Sequence, residues 1–230
     1  MTFCIYDRFD FLVCLRHAEA MPGDLFDHTD GASLLCGRLD VARQKELLAE
    51  IRAVIRAAPL FQPVMARTGR PFSVRMSNCG PLGWVSDIDG YRYQPTHPLT
   101  GKPWPAMPGL LLELWQAFAA YPLPPQACLI NWYEPQARMG LHQDRDEEDM
   151  DAPVLSVSLG DRCRFRLGTV ERKGKTRSFL LESGDVMMLA AANRLAFHGV
   201  ERIYPGTSTL LSRPGRINLT LRRVTRERGT

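Results

Sequence analysis

Residues Asn131 to Asp144 read N-W-Y-E-P-Q-A-R-M-G-L-H-Q-D and close on His142-Gln143-Asp144. In an extended strand, residues two apart point the same way. An imidazole and a carboxylate at that spacing are expected to share a face and to hold one ion together. A third donor must come from elsewhere, and His198 is the best candidate. It follows the apolar stretches Ala190–Ala192 and Leu195-Ala196-Phe197 and opens an expected strand. Two imidazoles and one carboxylate, with the remaining positions open, suit a non-haem Fe(II) ion. A His-x-Asp triplet is a common accident, so the case rests on what surrounds it.

The strands around this stretch set the fold class. Beyond Pro125 short β-type runs are expected at Cys128–Tyr133, Leu141–Asp144, Val154–Leu159, Arg162–Leu167, Ser178–Leu181, Asp185–Leu189, His198–Arg202 and Arg216–Val224. Turn signals such as Leu159-Gly160-Asp161 and Glu182-Ser183-Gly184-Asp185 separate them. Short strands punctuated in this way predict a sandwich or jelly roll. Before Pro125 the pattern is different. Leu47, Leu48, Ile51, Val54, Ile55 and Ala58 recur at helical spacing after a capping Asp40, and Pro59 ends the run. Pro108–Tyr121 reads as a second helix, and Phe72–Met76 as a strand. Between them, H-P-L-T-G-K-P-W-P-A-M-P is too rich in proline for helix or central strand. It is expected to be a long ordered surface segment, and a loop of that length is usually functional.

The last strand carries the second constellation. Arg216, Asn218, Thr220 and Arg222 share one face, and Ile217, Leu219 and Leu221 the other. Two guanidiniums on an inward face need anions to offset their desolvation, and arginine forks onto carboxylates bidentately. A dicarboxylate bound beside the metal answers that need. A solvated basic edge strand is the bland alternative. Asn131 and Tyr133, also two apart, can add an amide and a phenol to the same pocket.

Bulk composition excludes more than it selects. The chain has 230 residues, 45% of them apolar, with a formal charge of +4. That suits one sizeable domain, or one domain with an extension, and so mild a charge alone implies no nucleic acid. No apolar run reaches membrane-spanning length. The six cysteines are scattered with no Cys-x-x-Cys, which argues for a reducing cytoplasm over a disulfide framework or zinc finger. Residues 1–20 show no clear period, and Met21-Pro-Gly-Asp reads as a second start; this segment is expected to be dispensable or a mis-assigned start.

Taken together, N-W-Y-x-P, H-x-D, His198 and R-x-N-x-T-x-R resemble the Fe(II)- and 2-oxoglutarate-dependent dioxygenases. In detail they are similar to the AlkB family of nucleic-acid demethylases. M-S-N-C-G-x-L-G-W, G-Y-x-Y, K-P-W-P-A-M-P and A-P-V-L-S-V-S-L-G extend the likeness from Phe61 to Arg223, about seven-tenths of the chain. The resemblance implies an α+β, mainly β architecture: a double-stranded β-helix of the cupin-like jelly-roll type. Its layout would be an N-terminal extension over 1–30, helices and a nucleotide-recognition lid over 31–125, and a catalytic core over 126–230. It implies Fe(II), 2-oxoglutarate and O2 as cofactors. His142, Asp144 and His198 match the iron ligands. Asn131, Tyr133, Arg216, Asn218 and Arg222 match the 2-oxoglutarate pocket, with Arg216 on the distal carboxylate and Arg222 near the chelating one. Trp84, Tyr91, Tyr93, Asp146 and Arg172 match positions that hold the damaged base or its strand. Trp132 departs from the bacterial pattern, where arginine is common, and the Glu171–Arg177 turn departs too.

The implied activity is oxidative demethylation of 1-methyladenine and 3-methylcytosine in single- or double-stranded DNA, by a cytoplasmic monomer that touches no membrane. The same chemistry on RNA or on a protein side chain is the second reading. A cupin-like module that binds metal without turnover is the third, and both inward arginines argue against it. A cationic base sandwiched by Trp84 and His142 is the expected recognition, with Asp146 on the strand face of His142 and Asp144. Glu147, Glu148 and Asp149 read as solvated loop. Arg223, Arg226 and Arg228 offer phosphate contacts or merely solubility.

Overall fold

The computed structural model describes residues 31–227. Twelve strands and two helices are found among them: β1 (Ala32–Leu35), α1 (Val41–Ala57), β2 (Arg75–Cys79), β3 (Gly83–Asp87), β4 (Gly90–Gln94), α2 (Gly109–Phe118), β5 (Ala127–Tyr133), β6 (Met139–His142), β7 (Val154–Gly160), β8 (Cys163–Leu167), β9 (Arg177–Leu181), β10 (Val186–Leu189), β11 (His198–Ile203) and β12 (Arg216–Arg222). A larger sheet runs β1-β10-β7-β12-β5-β2, a smaller one β6-β11-β8-β9, and β3-β4 form a separate hairpin. Every strand pair is antiparallel. The expected jelly roll is therefore present, with helices before it.

Two apolar layers hold it together. On one side of the larger sheet, Ile130, Leu155, Val157, Ile217, Leu219 and Leu221 pack on Leu47, Leu48 and Ile51 of α1 and on Leu111 and Leu114 of α2. Asp40 caps α1 by accepting from the Arg43 amide at 2.8 Å. On the other side, between the sheets, Leu129, Tyr133, Phe165, Leu167, Met187 and Val200 form a second cluster. β12 lies in the middle of the larger sheet, between β5 and β7. Its aliphatic residues join the helix-side layer, and Arg216, Asn218, Thr220 and Arg222 line a cavity between the sheets.

Several boundaries move from the sequence reading. β1 has no counterpart in it. The hairpin β3–β4 occupies a stretch to which no regular structure was assigned. Its turn, Asp87-Ile88-Asp89-Gly90, is closed by Gly90 at φ 123° and by Arg92 clamping Asp87 through two bonds of 2.8 and 2.7 Å. The second helix ends at Phe118 rather than Tyr121, because Ala120 turns to φ 48°. The proline-rich segment is ordered by two buried side chains. The Trp104 indole donates to the Gln94 carbonyl at 2.8 Å. His97 accepts from the Leu99 and Thr100 amides on Nδ1 and donates from Nε2 to the Pro59 carbonyl. Gly83 is required there, since a Cβ would lie 2.4 Å from the Trp104 ring. The largest correction concerns β6. It ends at His142, so Asp144 and Asp146 do not share a strand face with His142. The pairing of β6 with β11 already shifts register between His198 and Val200. Beyond His142 the chain leaves the sheet, and Arg194 holds it by donating to the Asp144 carbonyl at 2.7 Å.

Candidate active site

The cavity between the sheets measures about 610 Å³. His142 and His198 face each other across the β6–β11 pair, with ring centroids 4.5 Å apart. Asp144 comes in from the loop after β6. Its carboxylate oxygens lie 3.7 Å from His142 Nε2 and 3.8 Å from His198 Nε2. The three donor atoms lie within 4.8 Å of one another, close to the ~4 Å that two bonds to one shared ion span.

The local bonding prepares these groups as ligands. His142 Nδ1 donates to the Gly140 carbonyl at 3.0 Å, and His198 Nδ1 to the Ala196 carbonyl at 2.9 Å. A carbonyl only accepts, so each proton sits on Nδ1 and each Nε2 lone pair is left for an ion. Burial pushes His198 down to about 4, helped by His142 and opposed by Asp144. Burial alone would raise the Asp144 carboxyl. Arg222, then His198 and His142, outweigh it and hold Asp144 well below the usual carboxylate range. The site is thus ionised on its acid and neutral on its buried imidazole, as metal binding needs.

A pH prediction follows for the metal-free protein. His198 is depressed in the folded state from its ordinary 6.5 to about 4. As pH falls through that window, the unfolded chain takes up a proton that the folded chain refuses, so stability falls. Asp144 adds almost nothing between about pH 7 and about pH 5, because a carboxylate depressed from 3.8 loses its contribution only below about pH 5. Urea melts at about pH 7 and about pH 5 should show lower stability at the acid end, and the difference should disappear in His198→Gln. Equal slopes in both proteins would reject the assignment.

The second half of the site is a slot lined by β12 and β5. Arg216 is fully buried, yet only one of its nitrogens has a partner: Nη2 donates to Ser158 Oγ at 2.7 Å. Its Nε and Nη1, and the buried Asn131 Oδ1, have none. Such orphaned groups are costly unless something is meant to meet them. A dicarboxylate satisfies the guanidinium, and Asn131 and Tyr133 line the same cavity. Burial raises the Tyr133 phenol, so it stays a proton donor. Asn218 is held by Ser156 and Thr220 at 2.5 and 2.9 Å. Arg222 lies beside the metal triad. It donates twice to Asp144 Oδ2, at 2.8 and 3.2 Å, and lies 3.3 Å from Glu147. It is thus committed to orienting the carboxylate of the metal triad, the nearest anion available to a buried guanidinium.

At the cavity mouth, Trp84 and Tyr91 stack with centroids 5.7 Å apart, and Phe72 meets Trp84 edge-on. The Trp84 indole donates to Asp146 at 2.8 Å. One Asp146 oxygen is therefore engaged by protein. Tyr93 turns its hydroxyl inward to Glu147 instead of presenting it at the mouth. Arg172, in the β8–β9 turn, is exposed, lines the cavity and sits over the Phe197 ring at 5.9 Å.

Two acids expected in a solvated loop are buried instead. Glu147 is buried, not solvated, and ties Arg194, Arg222 and Tyr93 together. Asp149 is buried as well and accepts from Tyr121 at 2.8 Å. The loop is pulled inward because the Glu148 and Asp149 amides both donate to the Val224 carbonyl. Arg194, 3% exposed, completes the clamp. The alternation of Glu147 and Asp149 was the only available signal, and four neighbouring acids conceal it.

Against known proteins, the family model described as the 2OG-Fe(II) oxygenase superfamily matches residues 31–222. A Caulobacter vibrioides protein named alpha-ketoglutarate-dependent dioxygenase AlkB homolog is 54% identical over 188 residues, covering 82% of this chain and 85% of its own length. The chain belongs to the AlkB family of 2OG-Fe(II) oxygenases. The Escherichia coli alpha-ketoglutarate-dependent dioxygenase AlkB is 41% identical over 184 residues, covering 78% of this chain and 84% of its own. The solved structure of OsALKBH1 superposes with a TM-score of 0.73 at 31% identity, covering 84% of this chain and 97% of that one. As an AlkB-family dioxygenase the protein works with Fe(II), 2-oxoglutarate and O2, and the His142, Asp144 and His198 donors and the orphaned Arg216 nitrogens fit the first two.

Proposed function

We propose that this dioxygenase removes alkyl groups from N1 of adenine and N3 of cytosine in DNA, in the cytoplasm and as a monomer. The observation that carries the reading is the joining of an aromatic mouth to the metal site in one cavity: Trp84, Tyr91, Asp146 and His142 line it together. A methyl on either nitrogen blocks Watson–Crick pairing and leaves the ring cationic. Lost pairing lowers the cost of flipping the base out, normally a few kcal/mol. An aromatic face then attracts the cationic ring by about 1–2 kcal/mol when desolvated, and the Asp146 carboxylate favours the positive form further. Cys79, Cys128 and Cys163 are buried free thiols, which suits a reducing compartment.

Each part of the chain has a role in this reading. His142, Asp144 and His198 hold the iron, and Arg222 and Glu147 keep Asp144 oriented. Arg216 takes the distal carboxylate of 2-oxoglutarate, with Asn131, Tyr133 and Asn218 completing the slot. Iron held by these three residues would supply O2 activation coupled to decarboxylation of 2-oxoglutarate to succinate and CO2, the oxidising power that hydroxylation of the N-methyl carbon needs. The protein contributes placement and exclusion of water. The hydroxylated methyl then leaves as formaldehyde, restoring the base.

Formaldehyde release from a 3-methylcytosine oligonucleotide, with Fe(II), 2-oxoglutarate and O2 supplied, tests the reading. Release no greater than a chelator-treated blank would overturn it. RNA is the second reading, because a Schizosaccharomyces pombe relative, 36% identical over 83 residues, is named tRNA demethylase abh1. Matched methylated DNA and RNA oligonucleotides, compared by kcat/KM, decide between them.

A further inference from the structure

The outer face of the smaller sheet carries charge for which the catalytic site has no use. In β8, Arg164 and Arg166 point outward, alternating with the inward Cys163, Phe165 and Leu167. β11 sets Arg202 directly opposite Arg164, and both are exposed. Like charges directly opposite in an antiparallel pair are destabilising, so the fold gains nothing from this arrangement. The Arg164 side chain has no ion pair or hydrogen bond among the described residues. Arg202 lies over the Tyr204 ring at 5.2 Å and has no carboxylate partner there. Arg166 gives one nitrogen to Thr176 at 2.7 Å. Glu201, exposed beside Arg202, is the acidic neighbour in β11, and Glu182 is already paired with Arg162 at 3.7 Å.

The patch is continuous with the active site. β8 leads from Arg164 and Arg166 into the turn that carries Arg172, Lys173 and Lys175, all exposed, and Arg172 lines the catalytic cavity. Arg164 and Arg166 lie about 7 Å apart along the strand, and Arg202 about 5 Å across from Arg164. Arginine forks suit phosphate oxygens. One exposed large apolar residue, Leu180, shares this face, too little for a membrane-inserting surface. We infer that the outer face of β11-β8-β9, centred on Arg164 and Arg202, holds backbone phosphates of the nucleic-acid strand that runs past the β8–β9 turn. This rests on a nucleic-acid substrate, and extends the contact well beyond the flipped base.

The test is Arg164→Gln combined with Arg202→Gln in the full chain. Substrates are a 3-methylcytosine trinucleotide and an oligonucleotide of roughly fifteen nucleotides, near the upper site size of single-strand binders. On the long substrate the variant should raise KM about tenfold at low salt. It should also lower the log–log salt slope of binding by about 1.4, the loss of two single-strand phosphate contacts. The kcat, and all constants on the trinucleotide, should stay as in the parent. Arg164→Lys with Arg202→Lys should retain most of the affinity, and the melting temperature of the Gln variant should hold or rise. An unchanged salt slope, an equal effect on both substrates, or binding of anionic vesicles in place of the oligonucleotide would overturn the inference. Turnover of the trinucleotide by the parent keeps that failure separate from failure of the demethylase reading.

Discussion

Asp144→Asn should lower formaldehyde release by at least about 10³-fold, since even partners one bond removed from a metal cost 10–100-fold when lost. The isosteric change is the sharper one. Alanine would strip Arg222 of its closest anion, 2.8 Å away and buried, and breaking a buried pair costs about 3–5 kcal/mol. Asparagine keeps an oxygen for Arg222 and removes the charge that the ion needs. Anaerobic titration with Co(II), followed by its absorption, should show weakened binding in a protein that still melts cooperatively. Turnover within tenfold of the parent would show that the carboxylate is not a ligand.

Arg216→Met should move two quantities in opposite directions. The guanidinium is fully buried and has a single protein partner, Ser158. Truncating one partner of a buried charge pair costs about 2–5 kcal/mol. A loss of ~3 kcal/mol would raise the KM for 2-oxoglutarate roughly 150-fold, at about 1.4 kcal/mol per decade. Without the diacid, however, a buried cation short of partners is a burden. An apolar side chain of similar length should therefore stabilise the ligand-free protein. Calorimetry without 2-oxoglutarate should give a higher Tm for the variant, and added 2-oxoglutarate should raise the parent's Tm much more than the variant's. A variant less stable than its parent in the absence of the diacid would mean that Arg216 serves the core and not the slot.

These positions were legible because period and chemistry coincide. Residues 216–222 alternate strictly, so assigning one face to the core assigned the other to the cavity. His142 and His198 were legible for a weaker reason, a triplet and a downstream strand. The route to Asp144 was misread: the loop after His142, fixed by Arg194, and not a strand period, brings it to the imidazoles. The β3–β4 hairpin was missed because glycine, proline and aspartate break its alternation, and its order comes from Trp104 and Asn78 far along the chain or across a turn. Glu147 was missed because its one local signal, alternation with Asp149, is hidden among neighbouring acids. Its distinction lies in Arg194 and Arg222, which are distant in sequence.

The central position of β12 also polices how the chain assembles. A slip of one residue against β5 and β7 would drive Arg216 and Arg222 into the layer beneath the helices and expel Ile217, Leu219 and Leu221 into the slot. Either displacement alone would be prohibitive, and the two occur together. The residues that receive the diacid thus also make any odd-numbered slip of the last strand self-defeating.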